Sequence, residues 1–230
     1  MLGYSKTLYT SFAGLFFHRI RLKRLLQIAH TIDGGKVLEI GCMDLLFYHR
    51  LNKKYVKYVG IDLNWHALAL AQTSKNRLGW RNVELVKGNA EILPFSAESF
   101  DLIFAFETVE HINDEEAAIS EITRVLKPGG TLVISVPIEF GLALLLKALA
   151  RVILRRRRRY SFHELITAAI LCRPGKIERD EHKGYDYRDT VKHLRKFHIN
   201  LVKLYRYPFK WLPDKLNGGI IALFSKPLSN

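Results

Sequence analysis

The sequence predicts an α/β fold built on a doubly wound, mostly parallel, seven-stranded sheet. Three observations carry this. Short apolar runs of strand length, closed by a glycine or an acid, recur from 36–41 and 58–62 onward. Segments with helical periodicity separate them, as the crossovers between parallel strands require. After residue 137 a long basic and aliphatic stretch interrupts the alternation, and two further strand-like runs follow it.

The N-terminal segment, 8–28, mixes Phe12, Phe16, Ile20, Leu22 and Leu25 with Arg19, Arg21, Lys23 and Arg24. Charge follows the apolar residues instead of preceding them, which is the reverse of a signal peptide. The segment reads as a helix covering the sheet and its ligand pocket, or as a basic amphipathic helix on a membrane surface. Lys36 to Ile40, closed by Gly41, is a buried strand ending in a tight turn, with a helix over 45–51. The second strand, 58–62, ends in Asp62, 21 residues after Gly41. A nucleotide-binding βαβ unit places there the carboxylate that accepts both ribose hydroxyls, so the ligand contains a nucleoside. A pyrophosphate cradle would want glycines at 41, 43 and 46, and this chain has Met43 and Leu46.

A helix over 64–78 starts at an Asn64 cap and offers Leu68, Ala71 and Leu78 to the core. The third strand, 83–87, delivers Asn89 and Ala90 to its carboxyl end. The fourth strand, 101–106, is almost wholly apolar, and a helix over 114–126 carries Ala118, Ile119, Ile122 and Val125 on one face. A Pro128-Gly129-Gly130 turn precedes the fifth strand, 131–136; a helix over 187–197 and strands over 199–205 and 219–224 follow. Right-handed crossovers bring the loops after the first four strands to one edge.

The pieces that decide the family are Val37-Leu38-Glu39-Ile40-Gly41, Gly60-Ile61-Asp62, Gly88-Asn89-Ala90-Glu91-Ile92-Leu93-Pro94-Phe95, Ser99-Phe100-Asp101-Leu102-Ile103, Glu110-His111-Ile112 and Leu126-Lys127-Pro128-Gly129-Gly130. In this order and spacing they resemble the class I S-adenosylmethionine-dependent methyltransferases, in particular the methyltransferase type 11-like group. The resemblance covers roughly residues 36 to 137. It implies a Rossmann-like sheet ending in an antiparallel hairpin, a helical insertion after strand five, and S-adenosyl-L-methionine as cofactor. It also implies that Glu39 serves the cofactor's methionine part, Asp62 its ribose, and Asn89 with Ala90 its adenine. Gly41, Cys42, Leu63 and Glu107 would line the same site. The family's usual Gly-x-Gly-x-Gly is reduced to Gly41, with Met43 and Leu45 at the other two positions. Side chains there restrict φ and add bulk beside the methionine part. A binding module with a closed cofactor site is therefore one reading of the chain.

Methyl transfer from a sulfonium asks the protein mainly to hold donor and acceptor in line. Glu107, Glu110 and His111 are spaced to share one helical face. They resemble the Glu-x-x-Glu-His motif of metal-assisted O-methyltransferases, in which a metal lowers the pKa of an acceptor hydroxyl. The reading adopted is instead catalytic His111 as general base, with Glu110 and without a metal. Tyr185, Tyr187 and Tyr207 belong either to an acceptor pocket or to the core.

With 230 residues, 48% of them apolar, the chain forms a single domain. Its parts are an N-terminal cover (1–35), a cofactor-binding core (36–137), a basic apolar insertion (138–185) and a C-terminal helix with antiparallel strands (186–230). Two cysteines suggest no disulfide framework and fit a reducing cytosol. A net charge of +14 favours an anionic partner. The aliphatic run 138–154, interrupted by Glu139, Lys147 and Arg151, is too short and polar to span a bilayer, and five arginines, 155–159, follow it. The expectation is an insertion, 138–171, that meets an anionic membrane surface from the cytosolic side. The acceptor is then a small amphiphilic or lipid-linked molecule, methylated on oxygen or carbon. A nucleic-acid methyltransferase is the rival that charge alone permits. Its arginines adjoin aliphatic stretches, however, and not the spaced aromatics on which bases stack.

Overall fold

The computed structural model describes residues 12–32, 35–51, 55–153, 160–178 and 183–228. Residues 8–11 of the N-terminal segment and the arginines 155–159 lie outside the described residues. The strands are β1 (Lys36–Ile40), β2 (Lys57–Asp62), β3 (Val83–Lys87), β4 (Phe100–Phe106), β5 (Leu126–Pro137), β6 (Asn200–Tyr207) and β7 (Gly219–Ser225). They form one seven-stranded sheet in the order β3-β2-β1-β4-β5-β7-β6. The pairings from β3 to β5 are parallel, and β7 runs antiparallel to both β5 and β6. The helices are α1 (Phe12–Thr31), α2 (Leu46–Leu51), α3 (Trp65–Leu78), α4 (Glu115–Val125), α5 (Gly141–Ile153), α6 (Phe162–Leu165) and α7 (Tyr187–Lys196).

The two-residue period of the strands builds a core on each face of the sheet. Along β4, Ile103 and Ala105 join Leu38, Ile40 and Ile134 on one side, where α4 contributes Ile119 and Ile122 and α7 contributes Leu194. Leu102 and Phe104 point the other way, to Val37, Tyr58 and Val133, beneath Leu25 and Ile28 of α1, Phe47 and Leu51 of α2, and Leu68 and Ala71 of α3. The expected cover is thus a helix packed on the sheet.

Helix starts follow local chemistry. The Asn64 side chain accepts from the backbone N–H groups of His66 (3.0 Å) and Ala67 (3.2 Å), and Asp114 accepts from that of Ala117 at 2.9 Å. The end of α3 departs from expectation: Leu78 is 41% exposed. It lies one position before the Gly79 cap, whose φ of 66° turns the chain off the core face. The Pro128-Gly129-Gly130 turn is likewise absorbed into β5. A register shift between Phe100 and Leu102 takes up the irregularity, and Gly129 and Gly130 exchange backbone bonds with Lys226 at 2.9 and 3.0 Å.

The insertion has a small core of its own, made by Leu144, Tyr160, Ala168 and Ala169. Among the described residues no helix is long and apolar enough to cross a membrane.

Candidate active site

The carboxyl ends of the parallel strands arrive in sheet order at one edge. Ile40 pairs with Ile61 and with Ala105, Asp62 with Lys87, and Phe106 with Ser135. The residues just beyond those ends, 41–43, 62–63, 88–90, 107–111 and 137–139, therefore share the edge where open α/β sheets bind ligands.

The turn after β1 is fixed from below. The backbone N–H groups of Gly41 and Cys42 both donate to the Ile61 carbonyl, at 2.9 and 3.2 Å. Gly41 has a φ of 70°, and a Cβ there would overlap the Thr108 hydroxyl. Met43 (φ 47°) and Leu45 (φ 59°) adopt the same left-handed conformation. The backbone path that glycines favour is thus kept by residues that pay for it in strain. The Leu45 side chain is fully buried. Gly60 of β2 makes room for it, since a Cβ there would meet Cys42 Sγ at 2.8 Å and Leu45 Cδ2 at 3.1 Å. The bulk at position 45 therefore packs beneath the loop.

Asp62 is half-buried at the end of β2. Its Oδ2 accepts from the Met43 N–H and its Oδ1 from the Asn64 N–H, both at 2.8 Å. One N–H per oxygen leaves each with a second lone pair for a ribose hydroxyl. The Gly88 N–H donates to the Asp62 carbonyl at 3.1 Å, which ties the 88–90 turn to this carboxylate. In that turn Ala90 is buried, and Asn89 Oδ1 accepts from the Glu91 N–H at 3.0 Å while retaining acceptor capacity. Leu63 is exposed beside Asp62. These residues fit a nucleoside-bearing cofactor.

Glu39 is placed differently from what the resemblance implies. Its side chain is 4% exposed and accepts the Tyr58 hydroxyl at 2.8 Å, so it lies under the edge and does not face it. Burial, opposed by the Tyr58 bond and helped by the nearby Asp62 and Asp44, pushes its carboxyl up to about 8.

Glu107, Glu110 and His111 diverge. Glu107 has a φ of 49° and precedes a short 3-10 turn, Val109–His111, so the chain lacks the helical geometry that would align the three. Glu107 turns toward α1, where Arg21 Nη1 lies 2.5 Å from its Oε2, and its Oε1 accepts from Tyr207 at 3.4 Å. Glu110 is buried, which with the adjacent Glu107 raises its carboxyl well above the usual range. His111 is exposed. Among the described residues no three His, Cys, Asp or Glu side chains converge to hold a metal ion. Tyr185, Tyr187 and Tyr207 are all buried, as the core reading has it.

Two residues escaped the sequence reading. Arg21 stood in a basic run whose partners are distant in sequence. Glu139, just past β5, is buried and bonded to Lys147 Nζ at 2.8 Å and to the Tyr160 hydroxyl at 3.2 Å. A lone acid in an aliphatic stretch was the available signal. A cleft of about 620 Å³ opens beside Asn113, between the start of α4 and α7. Its walls are helix ends carrying Asp114, Glu116, Asp186 and Asp189.

Residues 38–134 match the family described as "Methyltransferase domain". The chain belongs to the class I S-adenosylmethionine-dependent methyltransferases. It is 31% identical over 178 residues to the ubiquinone/menaquinone biosynthesis C-methyltransferase UbiE of Blochmanniella floridana, covering 74% of this chain and 63% of the relative. The corresponding protein of Cronobacter sakazakii is 31% identical over 174 residues, covering 74% and 64%. The chain thus spans less than two thirds of the length of these relatives. The solved [4+2]-cyclase SpnF shares the fold, with a TM-score of 0.67 at 17% identity over 91% of this chain and 82% of that one.

Proposed function

We propose that this methyltransferase transfers a methyl group from S-adenosylmethionine to carbon or oxygen of a small amphiphilic acceptor, of the prenylated quinol or lipid-linked kind, at the cytosolic face of a membrane. The observation that carries the reading is the Asp62 carboxylate, anchored by Met43 and Asn64 with lone pairs left over, at the edge where the four parallel-strand loops meet. The names of the 31%-identical relatives support the quinol class of acceptor.

The bound cofactor supplies an electrophilic methyl on a sulfonium. Asp62 holds the ribose hydroxyls, the Asn89–Ala90 turn and Leu63 bound the adenine, and Gly41, Cys42 and Glu107 shape the methionine end. Glu39 underlies that end in its protonated form. His111 accepts the proton that the acceptor gives up, and Glu110 beneath it positions the turn. The half-buried Met43, at a position where the family usually has glycine, favours a second reading, a binding module that takes up no cofactor.

Isotope-labelled S-adenosylmethionine, incubated with the chain and a prenylated phenol or quinol in detergent, tests the proposal. Label should enter the organic phase. No transfer together with no calorimetric binding of the cofactor would establish the binding-module reading instead.

A further inference from the structure

Helix α5 carries large apolar residues that the domain does not cover. Leu142, Leu145, Leu146, Leu149, Val152 and Ile153 are all exposed, Leu146 at 58% and Ile153 at 70%. Their spacing places them on one stripe of the helix, while Leu144 on another side packs into the small core of the insertion. Two segments that contact α5 add to this. The turn at 166–170 packs on it, and Ile170 and Leu171 there are exposed. The short 3-10 turn Asp214–Leu216 also packs on it, and the loop leading there exposes Trp211 at 81% beside Phe209 and Lys210. A soluble monomer rarely leaves so many neighbouring apolar side chains in water.

We infer that α5, the turn after α6 and the Phe209–Trp211 loop form one surface that docks on an anionic lipid bilayer. Charge selects this occupant over a second copy of the chain. The protein carries +14, so two copies repel, whereas an acidic leaflet attracts it. The sequence adds five arginines directly after α5, and Lys210 and Lys215 are exposed beside Trp211. Aliphatic side chains enter the acyl boundary, tryptophan favours the headgroup level, and lysines reach the phosphates. Glu139 joins β5 to α5 through Lys147, so docking brings the bilayer to the catalytic edge of the sheet. The inference rests on the amphiphilic-acceptor reading for its purpose, but its test does not.

Flotation of the purified chain with phosphatidylglycerol/phosphatidylcholine vesicles, against pure phosphatidylcholine, reads docking without turnover. The wild type should float with the anionic vesicles at low salt and less at high salt. Leu146→Gln, Leu149→Gln and Trp211→Ser combined should cut partitioning roughly tenfold or more with unchanged thermal unfolding, because all three side chains lie in water. Wild-type protein that stays with the soluble fraction, or a triple variant that floats equally well, overturns the inference. So does light scattering that finds a wild-type dimer, dissociated in the variant, without flotation. Floating protein that methylates no prenylated acceptor leaves docking intact and removes the acceptor reading. Methylation of a prenylated acceptor by protein that does not float does the reverse.

Discussion

Arg21 of the first helix and Glu107 at the end of the fourth strand form an ion pair of 2.5 Å, with only 14% and 25% of the side chains exposed. The same guanidinium donates to His18 Nδ1 at 3.1 Å. The pair ties the first helix to the loop after β4, at the carboxyl edge of the sheet. Arg21→Ala leaves Glu107 beside the buried Glu110 without its cation and should cost about 1–3 kcal/mol, between the exposed and fully buried cases. Urea denaturation checks this. An unchanged midpoint would mean that the helix is held by its apolar residues alone.

Asp62→Ala should weaken S-adenosylmethionine binding at least tenfold, since each hydrogen bond to a charged acceptor contributes about 1.5–3 kcal/mol. It also removes the acceptor for the Met43 and Asn64 N–H groups, so a modest loss of thermal stability should accompany it. Calorimetric titration measures the first effect; equal affinity in both proteins would refute the ribose assignment.

Glu39 gives a pH signature. Burial holds its folded carboxyl up at about 8 against an ordinary 4.5, so between these pH values the folded state holds a proton that the unfolded state has lost. Stability therefore falls as pH rises from about 4.5 to about 8 and levels off above that. Glu39→Gln should flatten the fall, with a gain on the order of several kcal/mol at pH 8. His18, lowered to about 4 by burial and by Arg21 and Arg50, slopes the other way at acid pH. The comparison is cleanest above pH 6.5, from urea midpoints of both proteins.

Gly41→Ala sets a methyl against Thr108 at a φ of 70° and should destabilise by about 1–3 kcal/mol. Thr108→Ala should recover part of that loss. Met43→Gly should stay within about 1 kcal/mol of wild type, because relief at φ 47° offsets the extra chain entropy. Thermal unfolding of the three variants distinguishes a strained loop from a tolerant one.

His111→Ala should lower methyl transfer roughly 10²-fold while leaving cofactor affinity unchanged. Rate and affinity measured on the same preparation decide whether the imidazole moves a proton or only borders the site.

Most of the sheet was legible because its strands are apolar runs of strand length with clear stops, as strands buried on both faces of a parallel sheet are. The place of Asp62 at the end of the second strand was legible because a single crossover, one short helix with its loops, leads there from Gly41. For Glu39, sequence gives the strand position of a carboxylate but not which neighbour captures it, and the captor, Tyr58, lies on the adjacent strand. The common helical face expected for Glu107, Glu110 and His111 is broken by one backbone angle, the φ of 49° at Glu107. A non-glycine residue at positive φ carries no sequence mark, and it sends Glu107 to Arg21 and Glu110 into the core.

The position of β7 between β5 and β6 has a consequence for biosynthesis. Thr131 finds its antiparallel partner only when Ser225 has left the ribosome. Until then the interior flank of β5 is an open, strongly apolar edge of the kind that recruits other chains. A nascent or prematurely terminated product lacking 219–225 would display that edge and become a target for chaperones and proteases, although its cofactor half could already have folded.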